Sequence, residues 1–311
     1  MRKARQRFTK NKETVRDLQR DCIERHLKAK LGKLRYFGLP ASTLEDARAW
    51  SDIFSEFAAV ERGEPNREWE LQHELELEAF KSKLFDKLGL FRGDIDSIIE
   101  KGRDQFGKKP RFPFDVVSLD YSGGLFYRDK KGNFARLKAV SALIERQATA
   151  KRDFVLLLSC NLDQVDQGEV RKTIENLRTE IVRYGCAADG VIDAYLKHER
   201  EEARLKLYVP YFVNVEAAKN HMNCETEKVI FYEGNRSVRM MAFRFFLTFD
   251  ERTQSLRPPR ERLSQIINRA LVEVQDGVAS ETLLGLPKLE LPETRGSNDV
   301  NAAQANDART S

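Results

Sequence analysis

The stretch FDVVSLDYSGG, Phe114 to Gly124, decides the fold. Its apolar residues Val116, Val117 and Leu119 are too closely spaced for one face of a helix, and the run stops at Asp120 before a pair of glycines. That is the pattern of a short buried strand that ends in a turn. Outward from it the pattern recurs. Upstream, LRYF (Leu34 to Phe37) is a strand running into the turn GLPAS, EFAAVE is a second strand ending at Glu61, and LFRGD, around Gly93, is a third. Helices are predicted between them: one capped by Thr43 with Asp46 three residues on, one with the stripe Leu77, Phe80, Leu84 and Leu88 closed by Gly89, and one over IDSIIEKGRDQF. Downstream, residues 134–150 read as a helix, FVLLLSCNL as a strand covered on both faces, and residues 167–184 as another helix. LKLYVPYFVNVEAA, KVIFYEG and RMMAFRFFLTF are rich in aromatic and β-branched residues and are predicted as strands, the last two forming an antiparallel hairpin. Strand and helix alternating about five times before a β-rich ending imply an α/β fold: an open, mostly parallel, doubly wound sheet with a C-terminal antiparallel hairpin.

The 311 residues suffice for one large domain with appendages. Four regions are expected: a basic helical arm over 1–33, with Val15, Leu18, Cys22, Leu27 and Leu31 near helical spacing; the α/β domain over 34–250; a helical extension over 251–285; and a disordered tail over 286–311, where hydrophobicity collapses. The longest apolar run, Phe154 to Ser159, is far short of the roughly 18 residues of a membrane span, so no membrane partner is expected. The opening MRKARQRFTK has no apolar leader, which places the chain in the cytoplasm. Cys22, Cys160, Cys186 and Cys224 stand far apart and form no CxxC pair, so neither a disulfide framework nor a metal site is expected. Cys160 reads as a buried small hydrophobe, and the four dispersed histidines as surface residues.

Charge is unevenly distributed. Residues 1–36 hold 13 Lys or Arg against 4 Asp or Glu, whereas the chain as a whole holds 54 against 49. Such an arm attracts polyanions, nucleic acid first among them. The competing reading is a solvated helix, since Glu13, Asp17, Asp21 and Glu24 lie at helical pairing distances from Arg16, Arg20, Arg25 and Lys28.

Ligands of an open parallel sheet bind outside the C-terminal ends of its strands. Four strand ends stand out: GLPAS (Gly38 to Ser42), Glu61, Gly93-Asp94, and Asp120-Tyr121 before the glycines. Glu61 lies 23 residues beyond Gly38, the spacing that brings a carboxylate to the end of the neighbouring strand, where it accepts hydrogen bonds from ribose hydroxyls. An acid after the fourth strand can accept from an exocyclic amine, an aromatic beside it can stack on a base, and Asn161, beyond the fifth strand, faces the same cleft.

In order and spacing these elements resemble the class I S-adenosylmethionine-dependent methyltransferases, from about Leu34 to Phe249. The resemblance implies S-adenosylmethionine as cofactor, with Gly38, Leu39 and Ser42 facing its methionine part, Glu61 and Arg62 its ribose, and Asp94 and Ile95 its adenine. It also implies that Asp120 and Tyr121, with Asn161, carry methyl transfer, nucleic acid being the expected substrate and a base amino group the acceptor. GLPAS stands where the family has GxGxG, and DYSG where its amino-methyltransferases have Asp/Asn-Pro-Pro-aromatic. These two substitutions define a second expectation, a scaffold of the same fold without catalysis that binds nucleic acid or a protein partner.

Overall fold

The computed structural model describes residues 10–39, 44–61, 68–121, 123–129, 131–162, 165–184, 189–234, 238–251, 258–282 and 284–289. Five parallel strands form half of the sheet: β1 (Leu34–Gly38), β2 (Phe54–Glu61), β3 (Leu88–Arg92), β4 (Val116–Asp120) and β5 (Phe154–Asn161). They lie in the order β3-β2-β1-β4-β5. The chain therefore builds outward from β1 to β3, then returns to the other side of β1, so the strand order reverses between β1 and β4. On the far side of β5 lies antiparallel β8 (Arg239–Phe249), which pairs along its length with β6 (Met222–Thr226) and β7 (Val229–Glu233). The open, mostly parallel sheet and its antiparallel ending are as the sequence predicts.

Side-chain alternation along each strand sorts the core into two faces. Val116, Val155 and Leu157 face α1 (Lys10–Leu27), α2 (Glu45–Ala49) and α3 (Glu68–Lys81). Val117, Leu119, Leu156 and Leu158 face the opposite layer. That layer is built from α4 (Ile95–Lys101), α5 (Ala135–Thr149), α6 (Gln167–Arg183), α7 (Asp189–Lys197), α8 (Glu201–Lys219) and α9 (Arg260–Asn268). Among the described residues no helix is long and apolar enough to cross a membrane.

Several expectations are corrected. LKLYVPYFVNVEAA is not a strand but the body of α8, with Pro210 inside it and buried residues on every side. A helix covered all round has no polar face to reveal its period, so its run of aromatic and β-branched residues imitates a strand. Of the α3 side chains that are described, Leu75 and Ala79 are buried, whereas Leu77 and Phe80 are 46% and 72% exposed. Leu88 and Gly89 belong to β3, and the helix over IDSIIEK ends at Lys101, where Gly102 takes the left-handed conformation. The stretch expected as a helical extension holds α9 and then β9 (Leu271–Gln275) and β10 (Val278–Thr282), which widen the sheet beyond β7. Their connection is Asp276-Gly277, both at positive φ, a hairpin signal present in the sequence. Residues 286–289, expected in the disordered tail, are packed: Leu289 is buried, and its backbone exchanges hydrogen bonds of 2.7 and 2.8 Å with the Asn268 side chain. The rest of that expected tail lies outside the described residues.

The basic arm is docked. Val15 packs with Ile230, Ala242 and Val272 on the antiparallel strands. At its start, Thr14 donates to the Gly277 carbonyl at 2.7 Å and Asn11 accepts from the Gly277 amide at 2.9 Å. At its end the anchor is Glu227. The register passes from Thr226 opposite Phe245 to Ile230 opposite Ala242, four steps against three, so β6 and β7 are one strand interrupted by a one-residue bulge at Glu227-Lys228. The bulge brings the Glu227 carboxylate to Arg25 (2.7 Å) and His26 (3.1 Å). His26 is stacked on Phe246 and mostly buried, not at the surface as expected. Buried Arg244 ties the same region together, donating to the carbonyls of Leu18 and Lys228.

The hydrogen bond to His26, with Arg25 and Arg244 adding, holds the Glu227 carboxyl down at about 2, against an ordinary 4.5. A depressed carboxyl contributes stability that is complete above its unfolded value and is lost as pH falls through its folded one. Replacing Glu227 with Gln should therefore destabilise the protein by about 2–3 kcal/mol at pH 6, and the gap should narrow between pH 4.5 and 2. Urea unfolding across that range measures it; a pH-independent gap would remove the ion pair as the anchor.

Candidate functional site

The reversal between β1 and β4 is where an open α/β sheet leaves room for a ligand. Gly38 lies beside Ser118, and the Leu39 amide donates to the Ser118 carbonyl at 3.3 Å. Just above them is a pocket with Asp120, Ser118, Ser159 and Tyr232 in its floor and Lys12, Val15, Arg16 and Gln19 of α1 as its roof. Its volume is about 50 Å³, room for water but well below the roughly 300 Å³ at which small-molecule sites begin. Arg16 closes one side through Asp46 at 2.8 Å and Glu45 at 3.5 Å. Burial pushes the Asp120 carboxyl up; Asp46 adds to that, while Lys12 and Arg16 oppose it.

Strand alternation divides the residues expected to act together. Asp120 shares the α1 face with Ser118 and Ser159, and Asn161, two residues past Ser159 and opposite Met240, lies on that face as well. Tyr121 turns to the other face, into the core with Leu119 and Leu158. There its hydroxyl donates to Asp96 at 2.6 Å, and the Arg136 guanidinium lies 4.6 Å above its ring while donating to the Gly124 carbonyl. Asp96 and Arg136 were not picked out in the sequence. An acid in the first turn of a short helix is ordinary, so Asp96 gave no local signal of its burial.

The ends of β2 and β3, which carry Glu61 and lead to Asp94, lie side by side. Glu61 is registered with Arg92, and the Gly93 amide donates to the Glu61 carbonyl at 3.2 Å, which sets Glu61 next to Asp94. Loss of water pushes the partly buried Glu61 carboxyl up. One oxygen of Asp94 caps α4 by accepting from Ser97 N at 3.0 Å. Ile95 is buried, so its backbone is what it offers a ligand. Ser42 and Arg62 lie outside the described residues, as does Thr43. Gly38 has a packing reason to be glycine: a Cβ there would stand 2.3 Å from the Ser118 carbonyl and 2.7 Å from the Tyr36 hydroxyl. Thus the β2 and β3 ends offer carboxylate and backbone groups as hydrogen-bond acceptors, whereas α1 residues cover Asp120.

One cluster has the composition of a metal site. Ligand atoms of Cys22, His26 and Glu227 lie within 4.8 Å of one another. The Glu227 oxygen is already shared by Arg25 and His26, Arg244 adds a second guanidinium, and burial pushes the Cys22 thiol up to about 12. Surrounding cations and a protonated thiol suit an ion pair, not a bound cation. Cys160 is buried too, its thiol pushed up to about 12 by burial, as befits a core residue.

No family model matches the chain, and no curated protein does. Among solved structures it is similar to the N-methyltransferase NodS from Bradyrhizobium japonicum WM9 (9% identity, 76% of this chain and 98% of that one, TM-score 0.40). It is also similar to magnesium protoporphyrin IX methyltransferase (ChlM) from Synechocystis PCC 6803 with bound SAH (10%, 76% and 85%, 0.38) and to Trm5b from Pyrococcus abyssi (12%, 79% and 52%, 0.41). The fold is class I methyltransferase-like. What carries that statement is the strand order, with antiparallel β8 set between β5 and β7.

Burial raises the Asp96 carboxyl to about 6 from an ordinary 3.8, against the pull of the Tyr121 hydrogen bond. A raised carboxyl is stabilising in comparison below its unfolded value and loses that contribution as pH rises through its folded one. Asp96→Asn keeps an acceptor for Tyr121 and removes the titration. The variant should match the parent near pH 4 and exceed its stability by about 2–3 kcal/mol at pH 8, read from urea midpoints.

Proposed function

We propose that the chain binds S-adenosylmethionine across the C-terminal ends of β1, β2 and β3 and transfers its methyl group to an amino group of a nucleic-acid base. The observation that carries this reading is the pair of acids, Glu61 and Asp94, ending adjacent parallel strands beside the β1/β4 reversal. The cofactor supplies an activated methyl on a sulfonium, so positioning is the protein's main task. Glu61 accepts hydrogen bonds from the ribose hydroxyls, Asp94 and the Ile95 backbone flank the adenine, and Gly38, Leu39 and the turn through Ser42 face the methionine part. Arg62 follows Glu61 on the ribose side. Asp120 orients the acceptor amine and Asn161 hydrogen-bonds the substrate from the same face. Tyr121 contributes from the opposite face, fixing Asp96 and the turn after β4 instead of stacking on the base.

A second reading is favoured by three observations around β1. The α1 roof, the 50 Å³ pocket and the Tyr36 hydroxyl beside Gly38 suit a scaffold that has lost the cofactor and binds a macromolecular partner. Calorimetric titration with S-adenosylmethionine and its demethylated product separates the two. Binding is expected, and Glu61→Ala should weaken it by roughly tenfold or more, since hydrogen bonds to a charged acceptor contribute about 1.5–3 kcal/mol. No heat and no thermal shift at millimolar cofactor would decide for the scaffold.

A further inference from the structure

Among the described residues, several of the cations that the N-terminal sequence offers to a polyanion are engaged within the chain. Arg16 holds Glu45 and Asp46, Arg20 holds Glu24 and Asp52, Arg25 holds Glu227, and Lys30 holds Asp115. Uncompensated positive charge stands elsewhere, on the connection between α4 and β4. Residues 101–111, KGRDQFGKKPR, hold five basic residues and one acid. Lys101, Arg103, Lys109 and Arg111 are exposed, and none has a carboxylate within 4 Å among the described residues. Lys108 donates to the Leu90 carbonyl and sits over the Phe91 ring.

The single acid has an internal task. Asp104 accepts from the amides of Phe106, Lys108 and Arg92 at 2.9, 2.9 and 3.2 Å. Its own amide donates to the Lys108 carbonyl, and the Gln105 amide donates to the Arg92 carbonyl. The loop is thus fastened to the edge of β3, with Gly107 at positive φ making the tight turn. Its carboxylate charge is spent on backbone, leaving the outer surface basic.

At the tip of this rigid loop is Phe106, 66% exposed, with the Arg92 guanidinium 5.2 Å from its ring. A large apolar ring held in water by a fixed loop has no packing reason. An aromatic platform among cations is the arrangement on which bases of a single strand stack while lysines and arginines track the phosphates. Gln105 also lies against Gly93, so the platform adjoins Asp94 at the end of β3.

We propose that residues 101–111 form a docking surface for single-stranded nucleic acid, with Phe106 stacking on a base and Arg103, Lys109 and Arg111 on adjacent phosphates. It rests on the partner class proposed above and not on the cofactor, so its test omits the cofactor. Fluorescence anisotropy of a labelled 12-nucleotide single strand is followed over a salt series with the full chain. Phe106→Ala should weaken binding roughly tenfold, and because the ring is exposed its melting temperature should match the parent's. Arg103→Ala with Lys109→Ala should reduce the slope of log affinity against log salt by about 1.4, roughly 0.7 per phosphate on a single strand. Unchanged affinity and slope in both variants would overturn the surface, even if the chain binds the strand elsewhere. Equal competition by polyglutamate with no effect of Phe106→Ala would also overturn it, pointing to an acidic protein partner. Cofactor binding in the calorimeter is untouched by either outcome.

Discussion

Strand β5 has to be dry on both faces, and much of the molecule follows from that. Its eight residues are all buried, and it joins the parallel half, through β4, to the antiparallel half, through β8. One face is covered by the layer of α4 to α9. On the other, α1 reaches β5, β8, β7 and β9. The position of α1 is thus set by the need to cover apolar strands. Covering them also places Lys12 and Arg16 above Asp120. Coverage of the core and access to the strand ends are in direct competition at this one helix.

The competition falls on one half of the candidate site. Over β1 and β4 the helix leaves a small polar pocket, while the ends of β2 and β3, with Glu61 and Asp94, lie to the other side of the reversal. Ion pairing pins the C-terminal end of the helix, and the bulge at Glu227 is what lets a strand residue reach Arg25 and His26. A regular strand would have kept that carboxylate in step with its neighbours.

Much of the parallel sheet was legible because its strands are short, apolar and punctuated. Leu34–Gly38, Val116–Asp120 and Phe154–Asn161 each end where a turn residue, an acid or a polar group ends the apolar run. The acids at strand ends were legible for the same reason, since parallel strands bring their C-terminal residues to one edge. The side to which Tyr121 turns follows from a period of two, but only once Asp120 is assigned to a face. Helix α8 was hidden by complete burial, and β10, which is exposed along its length, by the absence of any apolar alternation. The roof over Asp120 was beyond local reading altogether, because it depends on contacts between residues more than 200 positions apart.

The grip of the Asp276-Gly277 turn on Asn11 and Thr14 has a consequence for the order of events at the ribosome. These hydrogen bonds join residues 266 and 263 positions apart. Helix α1 is synthesised before β7, β8 and β9, on which its first half lands. Until those strands emerge, Cys22, Ile23 and Leu27 can dock on the parallel core beside Leu34, Val116 and Val155, whereas Val15 lacks its partners Ile230, Ala242 and Val272. Closure of so long a loop is slow compared with local helix formation. The parallel core, from β1 to β5, can assemble with the second half of α1 in place, while the first half of that helix waits for β7, β8 and β9.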